Sequence, residues 1–157
     1  NAQARFSQNL LEQGSHPTSE KLLSVVRPAS SHVAEAFAMN EGDNVIHLRT
    51  LRRVNGVALC LIDHYFTDLK LWPTLQTFTH GSLHDLLRDR LAIELTRVRT
   101  KISARRAQAK ESNILGIPNM APLLCVRTLN HRQGEQSATE YSVSLTRADM
   151  IEFTMEH

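Results

Sequence analysis

The sequence predicts an α+β fold, a largely antiparallel sheet with surrounding helices, from three observations. Two β-rich runs, 45–54 and 57–66, bracket Asn55-Gly56, the strongest hairpin signal in the chain. A second pair, 122–132 and 136–146, flanks Gln133-Gly134-Glu135. The helical segments between them lack the regular strand-helix-strand alternation that a parallel sheet requires.

Length and charge narrow the possibilities. The chain has 157 residues, 41% apolar and 22% charged, which suits one packed domain. Its longest unbroken apolar run, 57–62, falls far short of the roughly 20 residues that span a bilayer, so no membrane partner is expected. Cys60 and Cys125 are the only cysteines, and both lie in apolar segments. Two buried reduced thiols, with a cytoplasmic location, fit better than a disulfide or zinc framework. A net charge of +2 is too small for an autonomous DNA-binding domain. Fourteen of the 18 basic residues are nevertheless Arg, the side chain that holds planar anions with forked hydrogen bonds.

Taken in order, residues 1–17 are polar, contain the breaker Gly14-Ser15-His16-Pro17 and read as an arm or linker; the packed domain is 18–157. Leu22, Leu23, Val25 and Val26 make 21–27 a first strand that Pro28 ends. Ser30-Ser31 caps a helix with Val33, Ala36 and Phe37 on one face and Glu35 favouring its start; Asn40 to Gly42 stops it.

In the first hairpin, a two-residue turn puts Asp63 opposite Leu48 on an apolar face. A three-residue loop with Gly56 left-handed instead gathers Ile46, Leu48, Ala58, Cys60, Ile62 and Phe66 and sets His47 opposite Asp63. The second register is preferred. It leaves Thr50 and Arg52 as polar side chains on the apolar face.

A turn-rich segment around Trp72-Pro73 follows, then Ser82 and Asp85 at capping-box spacing, opening a helix that buries Leu83, Leu86, Leu87 and Leu91. Residues 94–104 alternate Arg97, Arg99 and Lys101 with Val98, Thr100 and Ile102, a strand with one basic face. A short helix runs from about Arg105 to Gly116.

No catalytic residue emerges: the chain lacks a phosphate-cradling Gly loop, a Gly-x-Ser-x-Gly elbow and a His-Glu-x-x-His motif. No metal or cofactor is expected. His80 and His84 are four apart, but a helix start falls between them, and the adjacent Asp63 and His64 point to opposite faces of a strand. Arg52 is more informative. A guanidinium among Leu48, Cys60 and Ile62 needs a carboxylate, with Glu140 the internal candidate, or else a solvent channel or a bound anion. The helix start at Ser82, with the amides of Leu83, His84 and Asp85, is a second anion seat, unless Ser82 merely caps its helix.

The order of Gly42-Asp43-x-Val45, Leu51-Arg52-x-x-Asn55-Gly56, Tyr65, Ser82-Leu83, Leu115-Gly116-Ile117-Pro118, Ala121-Pro122-Leu123-Leu124 and Glu140-Tyr141 through Arg147-x-Asp149 resembles the UTRA domain, the effector-binding half of GntR-family, HutC-type bacterial transcription regulators. Within that family the likeness leans towards regulators of phosphonate utilisation. The resemblance spans 6–153 and implies a chorismate-lyase-like fold, a homodimer, a small anionic effector, and operator DNA bound only through an N-terminal domain absent from this chain.

In sugar-phosphate-sensing relatives an Arg-x-Arg pair and a Ser at the next helix start hold the phosphate. The second Arg matches Arg52, while the first position is Thr50; Ser82 matches the Ser, followed by Leu83 and by His84 where an aromatic is usual. Glu140 matches an acidic ligand contact, Thr146 replaces a Tyr and Ile62 replaces a second Glu. The resemblance thus implies an anion site partly kept, around Thr50, Arg52, Ser82, Leu83, His84, Glu140 and Thr146, with a changed organic side that favours a phosphate, a phosphonate or a related metabolite over a sugar phosphate. A lyase-type enzyme on the same fold is the alternative, and a ligand-free dimerisation spacer is a third reading.

Overall fold

The protein is described by a computed structural model that covers residues 17–154 and 156, so residues 1–16 of the expected arm lie outside it. Strands β1 (Pro17–Pro28), β2 (Asn44–Val54), β3 (Val57–Phe66), β4 (Leu95–Arg106), β5 (Pro122–Arg132) and β6 (Ala138–Arg147) form one sheet in the order β1-β2-β3-β6-β5-β4. Every neighbouring pair is antiparallel. Helices α1 (Ser31–Phe37), α2 (Trp72–Leu75), α3 (Leu83–Leu91) and α4 (Ala109–Leu115) pack against its two faces. The α+β expectation holds.

Packing distinguishes the faces. On one, Ile46, Leu48 and Phe66 meet Leu71, Leu75 and Phe78 from the α2 region and Leu83 and Leu87 from α3. On the other, α4 brings Leu115 onto Leu51, Ala58, Leu61, Leu123, Cys125 and Leu145, while α1 brings Val33 and Ala34 onto Val45 and Tyr141. These are called the α3 face and the α4 face below.

The first hairpin corrects the preferred register. Val54 pairs with Val57 across a two-residue turn, with Asn55 (φ 52°) and Gly56 (φ 79°) both left-handed, the geometry that follows strand twist. The extra residue lies inside β3: Arg52 pairs with Cys60 but Arg53 with Ala58, so Leu59 bulges. Beyond the bulge the pairing differs from expectation by two residues and the facing is preserved. Thr50 and Arg52 therefore share the α3 face with Ile46, Leu48, Cys60, Ile62 and Phe66. Ala58, before the bulge, turns to the α4 face instead. His47 stands opposite Tyr65 and Arg49 opposite Asp63, yet His47 Nε2 reaches Asp63 Oδ1 diagonally at 2.6 Å.

Other boundaries move for local reasons. β1 begins at Pro17 rather than Lys21, because 17–21 pair with β2 up to a bulge at Leu22. In α1, Ser30 hydrogen-bonds the His32 ring instead of capping, Glu35 lies outside the first turn, and Ala38 in the left-handed region ends the helix. The Trp72-Pro73 segment holds α2, preceded by a 3-10 turn over Leu69–Leu71. Leu91 is 39% exposed, so α3 buries Leu83 and Leu87 but not its last leucine. β4 runs on to Arg106, and Gln108 with Glu111 forms the capping box that starts α4 later than expected. The expected basic face of β4 is broken: a bulge at Val98 puts Arg97 on the α3 face with Thr100, and leaves Arg99 and Lys101 on the α4 face.

Candidate functional site

The α3 face carries a polar cluster built around Glu140, which is 1% exposed. Its Oε1 accepts from Asn130 Nδ2 at 2.6 Å and from His84 Nε2 at 2.8 Å; its Oε2 accepts from His64 Nδ1 at 3.0 Å. A carboxylate only accepts, so each histidine donates from the named nitrogen, and His64 Nε2 is left facing Thr50 Oγ1 at 3.3 Å. Sheet register explains the assembly. Glu140 pairs with Phe66 on one side and Asn130 on the other, and His64 stands two residues along β3 on the same face. His84 descends from the first turn of α3.

The electrostatics are coupled. Burial by itself would raise the Glu140 pKa, but the charge of His84 and the hydrogen bonds from His64 and His84 outweigh it and hold the carboxyl below its ordinary range. His84 is in turn raised by the Glu140 charge, against desolvation, although half its side chain is exposed.

Arg52 occupies the other end of this face. Its Nε is buried without a hydrogen-bond partner, and it forms no ion pair among the described residues. The internal Arg52 to Glu140 pair is therefore absent: Glu140 is held by histidines and an amide. Beside Arg52, Thr146 Oγ1 donates to Cys60 Sγ at 3.1 Å, and burial pushes the Cys60 thiol up against that bond and the nearby Arg52 charge.

The start of α3 is tied to the same end. Ser19 pairs with Arg52, and the Gly81 amide donates to the Ser19 carbonyl at 3.0 Å; Glu20 bridges His80. Ser82 caps the helix, its Oγ accepting from the Asp85 amide at 3.1 Å, which removes Asp85 from the expected anion seat. The amides of Leu83 and His84 keep no acceptor within the helix. The Leu83 side chain is buried in the core, so this residue offers backbone only. Ser82 and His84 are two residues apart, so the capped helix start lies next to the residue that reaches Glu140.

All seven expected site residues thus lie on the α3 face or at the α3 start. The sequence reading missed His64 and Asn130 as partners of Glu140, and Arg97, whose Nε is also buried and unpartnered. Alternation could have put His64 on this face; the Val98 bulge that turns Arg97 inward leaves no local signature. Among the described residues no group of three or more His, Cys, Asp or Glu can hold a metal ion, and no helix is long and apolar enough to cross a membrane.

Comparison with known proteins agrees with this architecture. The protein named probable transcriptional regulator PhnF of Escherichia coli (strain K12) is 79% identical over 157 residues, all of this chain and 65% of that protein. The HTH-type transcriptional regulator GgaR of the same organism is 26% identical over 151 residues, 96% of this chain and 59% of that one. The crystal structure of the PhnF C-terminal domain superposes with a TM-score of 0.86 at 78% identity, covering 94% of this chain and 93% of that one. The effector domain of PhnF from Mycobacterium smegmatis shares the fold, with a TM-score of 0.82 at 22% identity, covering 97% and 94%. The UTRA domain model matches residues 12–152, so the chain belongs to the UTRA domain family.

Proposed function

We propose that this chain is the effector-sensing, dimerising part of a cytoplasmic bacterial transcription regulator of phosphonate uptake and degradation genes, and that its effector is a small phosphorus-containing anion. The carrying observation is Arg52, a half-buried guanidinium without an ion-pair partner among the described residues, on the face whose edge anchors the α3 start. A guanidinium keeps its charge, so a bound oxyanion is the natural acceptor, with Ser82 and the Leu83 and His84 amides completing the seat. Thr50 and Thr146 flank it, and Glu140 with His84 meets the remainder of the ligand. Relatives named as regulators favour a sensor over the lyase-type enzyme.

A sensor acts only if its ligand binds two arrangements unequally. His84 belongs both to the α3 start and to the Glu140 cluster, so a ligand seated at that start repositions α3 against the sheet. Operator DNA is bound through an N-terminal domain outside this chain. The test uses the full-length regulator with promoter DNA of phosphonate genes, titrated with phosphate and methylphosphonate. The expected result is an operator affinity that changes with the anion in the wild type and not in Arg52→Ala, from a protein that sediments as a dimer. An anion response that persists in folded Arg52→Ala contradicts the proposed seat.

A further inference from the structure

Arg97 is a charged residue of the α3 face, next to the Glu140 cluster, that the proposed anion seat leaves unused. The bulge at Val98 brings it beside Asn130, its partner in β5, and Asn130 bonds Glu140. Burial lowers the Arg97 pKa and the Glu140 charge partly offsets this, so the guanidinium lies within the field of that carboxylate. Glu140 is nevertheless committed elsewhere. Oε1 accepts from His84 and Asn130, Oε2 accepts from His64, and Arg97 Nε stays buried without a partner.

Counting donors against acceptors gives the end of the site a chemical sense. Arg97, two imidazoles and the Asn130 amide converge there, and the carboxylate among them is already used by three of those groups. The surplus is of donors. A ligand bringing an ammonium adds a donor where acceptors are lacking; one bringing a carboxylate supplies two acceptor oxygens in the planar arrangement that a guanidinium fork matches.

We propose that Arg97 is a specificity-determining residue, and that the ligand class is a short phosphonate or phosphate ester carrying a carboxylate at the end remote from phosphorus. This rests on the reading of Arg52 and the α3 start as the seat of the phosphorus anion. Arg97 then reads the far end, and the carbon spacer sets which members of the class reach both seats.

The test is calorimetric titration of the protein and of Arg97→Gln with 3-phosphonopropionate, propylphosphonate and 2-aminoethylphosphonate, near-isosteres that differ in the terminal group. Phosphonoacetate and 4-phosphonobutyrate vary the spacer. The expected result is that the wild type prefers a carboxylate-bearing member over propylphosphonate by about tenfold or more, as a charge-assisted fork contributes. Arg97→Gln, folded by its melting curve, loses that preference while binding propylphosphonate as before, and Arg97→Lys restores part of it. Equal affinities in the wild type, a preference that survives Arg97→Gln, or a preference for the amine overturns the assignment and leaves the Arg52 seat standing. Failure of the wild type to bind any of these phosphonates removes the Arg52 seat itself, and this inference with it.

Discussion

Asp63 and Glu140 stand on opposite faces of the same sheet, and they are neutralised differently. Asp63, on the α4 face, accepts from His47 at 2.6 Å and from Arg49 at 2.9 Å. Burial would raise its pKa, but those two bonds win, and Arg49 supplies a permanent cation. Glu140, more deeply buried, has two histidines and an amide instead, with no permanent cation among its hydrogen-bond partners. Unpartnered atoms follow the same division. Among the described residues, four buried side-chain atoms lack a hydrogen bond: Ser24 Oγ, Arg52 Nε and Arg97 Nε on the α3 face and His47 Nδ1 on the other, the last without a structural explanation. The α4-face carboxylate is neutralised by its own neighbours, whereas three of those four unpartnered atoms gather on the α3 face.

The comparison can be broken most severely at its carboxylates. Glu140→Ala strands the His64 imidazole and the Asn130 amide in the interior, takes the partner from half-exposed His84 and lowers unfolding free energy by about 3–5 kcal/mol. Asp63→Asn keeps an acceptor for His47 and leaves Arg49 partly solvated, costing about 1–3 kcal/mol. Urea denaturation of both variants checks the order, and equal losses contradict it.

Titration sharpens the difference. The Glu140 pKa is lowered on folding, so its contribution is present above about pH 4.3, the unfolded carboxyl value, and is lost as pH falls through the folded one. The His84 pKa is raised, so its contribution is complete below about pH 6.5 and is lost as pH rises through the folded value. Their joint contribution is greatest between these limits. Melting temperature against pH is expected to decline on the alkaline side in the wild type and to flatten there in His84→Gln. Solvent around half-exposed His84 keeps the effect modest.

The smallest effect concerns two serines that look alike in sequence. Ser82 caps α3 through its Oγ, so Ser82→Ala costs about 1 kcal/mol. Ser30 precedes α1 but bonds the His32 ring, so Ser30→Ala is expected to change stability by a few tenths of that. Chemical denaturation distinguishes them.

What the sequence revealed, and what it hid, follows from how far each feature depends on distant residues. Asn55-Gly56 located its hairpin because left-handed turn positions are chosen locally. An error of two residues in the pairing preserves alternation, so Thr50 and Arg52 fall on the observed face although the expected loop is one residue too long. Ala58 was lost to the same error, because it precedes the Leu59 bulge. The Ser82 cap was legible from its spacing to Asp85, whereas the partners of Glu140 come from β3, β5 and α3 and depend on the strand order β3-β6-β5, which periodicity does not encode. Strict alternation through Val98 groups Arg97 with Arg99 and Lys101 on one basic face, and the bulge there separates it from them.

The central claim is that Arg52 lacks an internal partner because it serves an external anion. Calorimetric titration of wild type and Arg52→Ala with phosphate and methylphosphonate, alongside melting curves, tests it most directly. A charge-assisted, partly desolvated contact contributes about 1.5–3 kcal/mol, so the account predicts that anion affinity falls by about one to two powers of ten in Arg52→Ala while the melting temperature holds or rises. Unchanged anion affinity in a folded variant contradicts it.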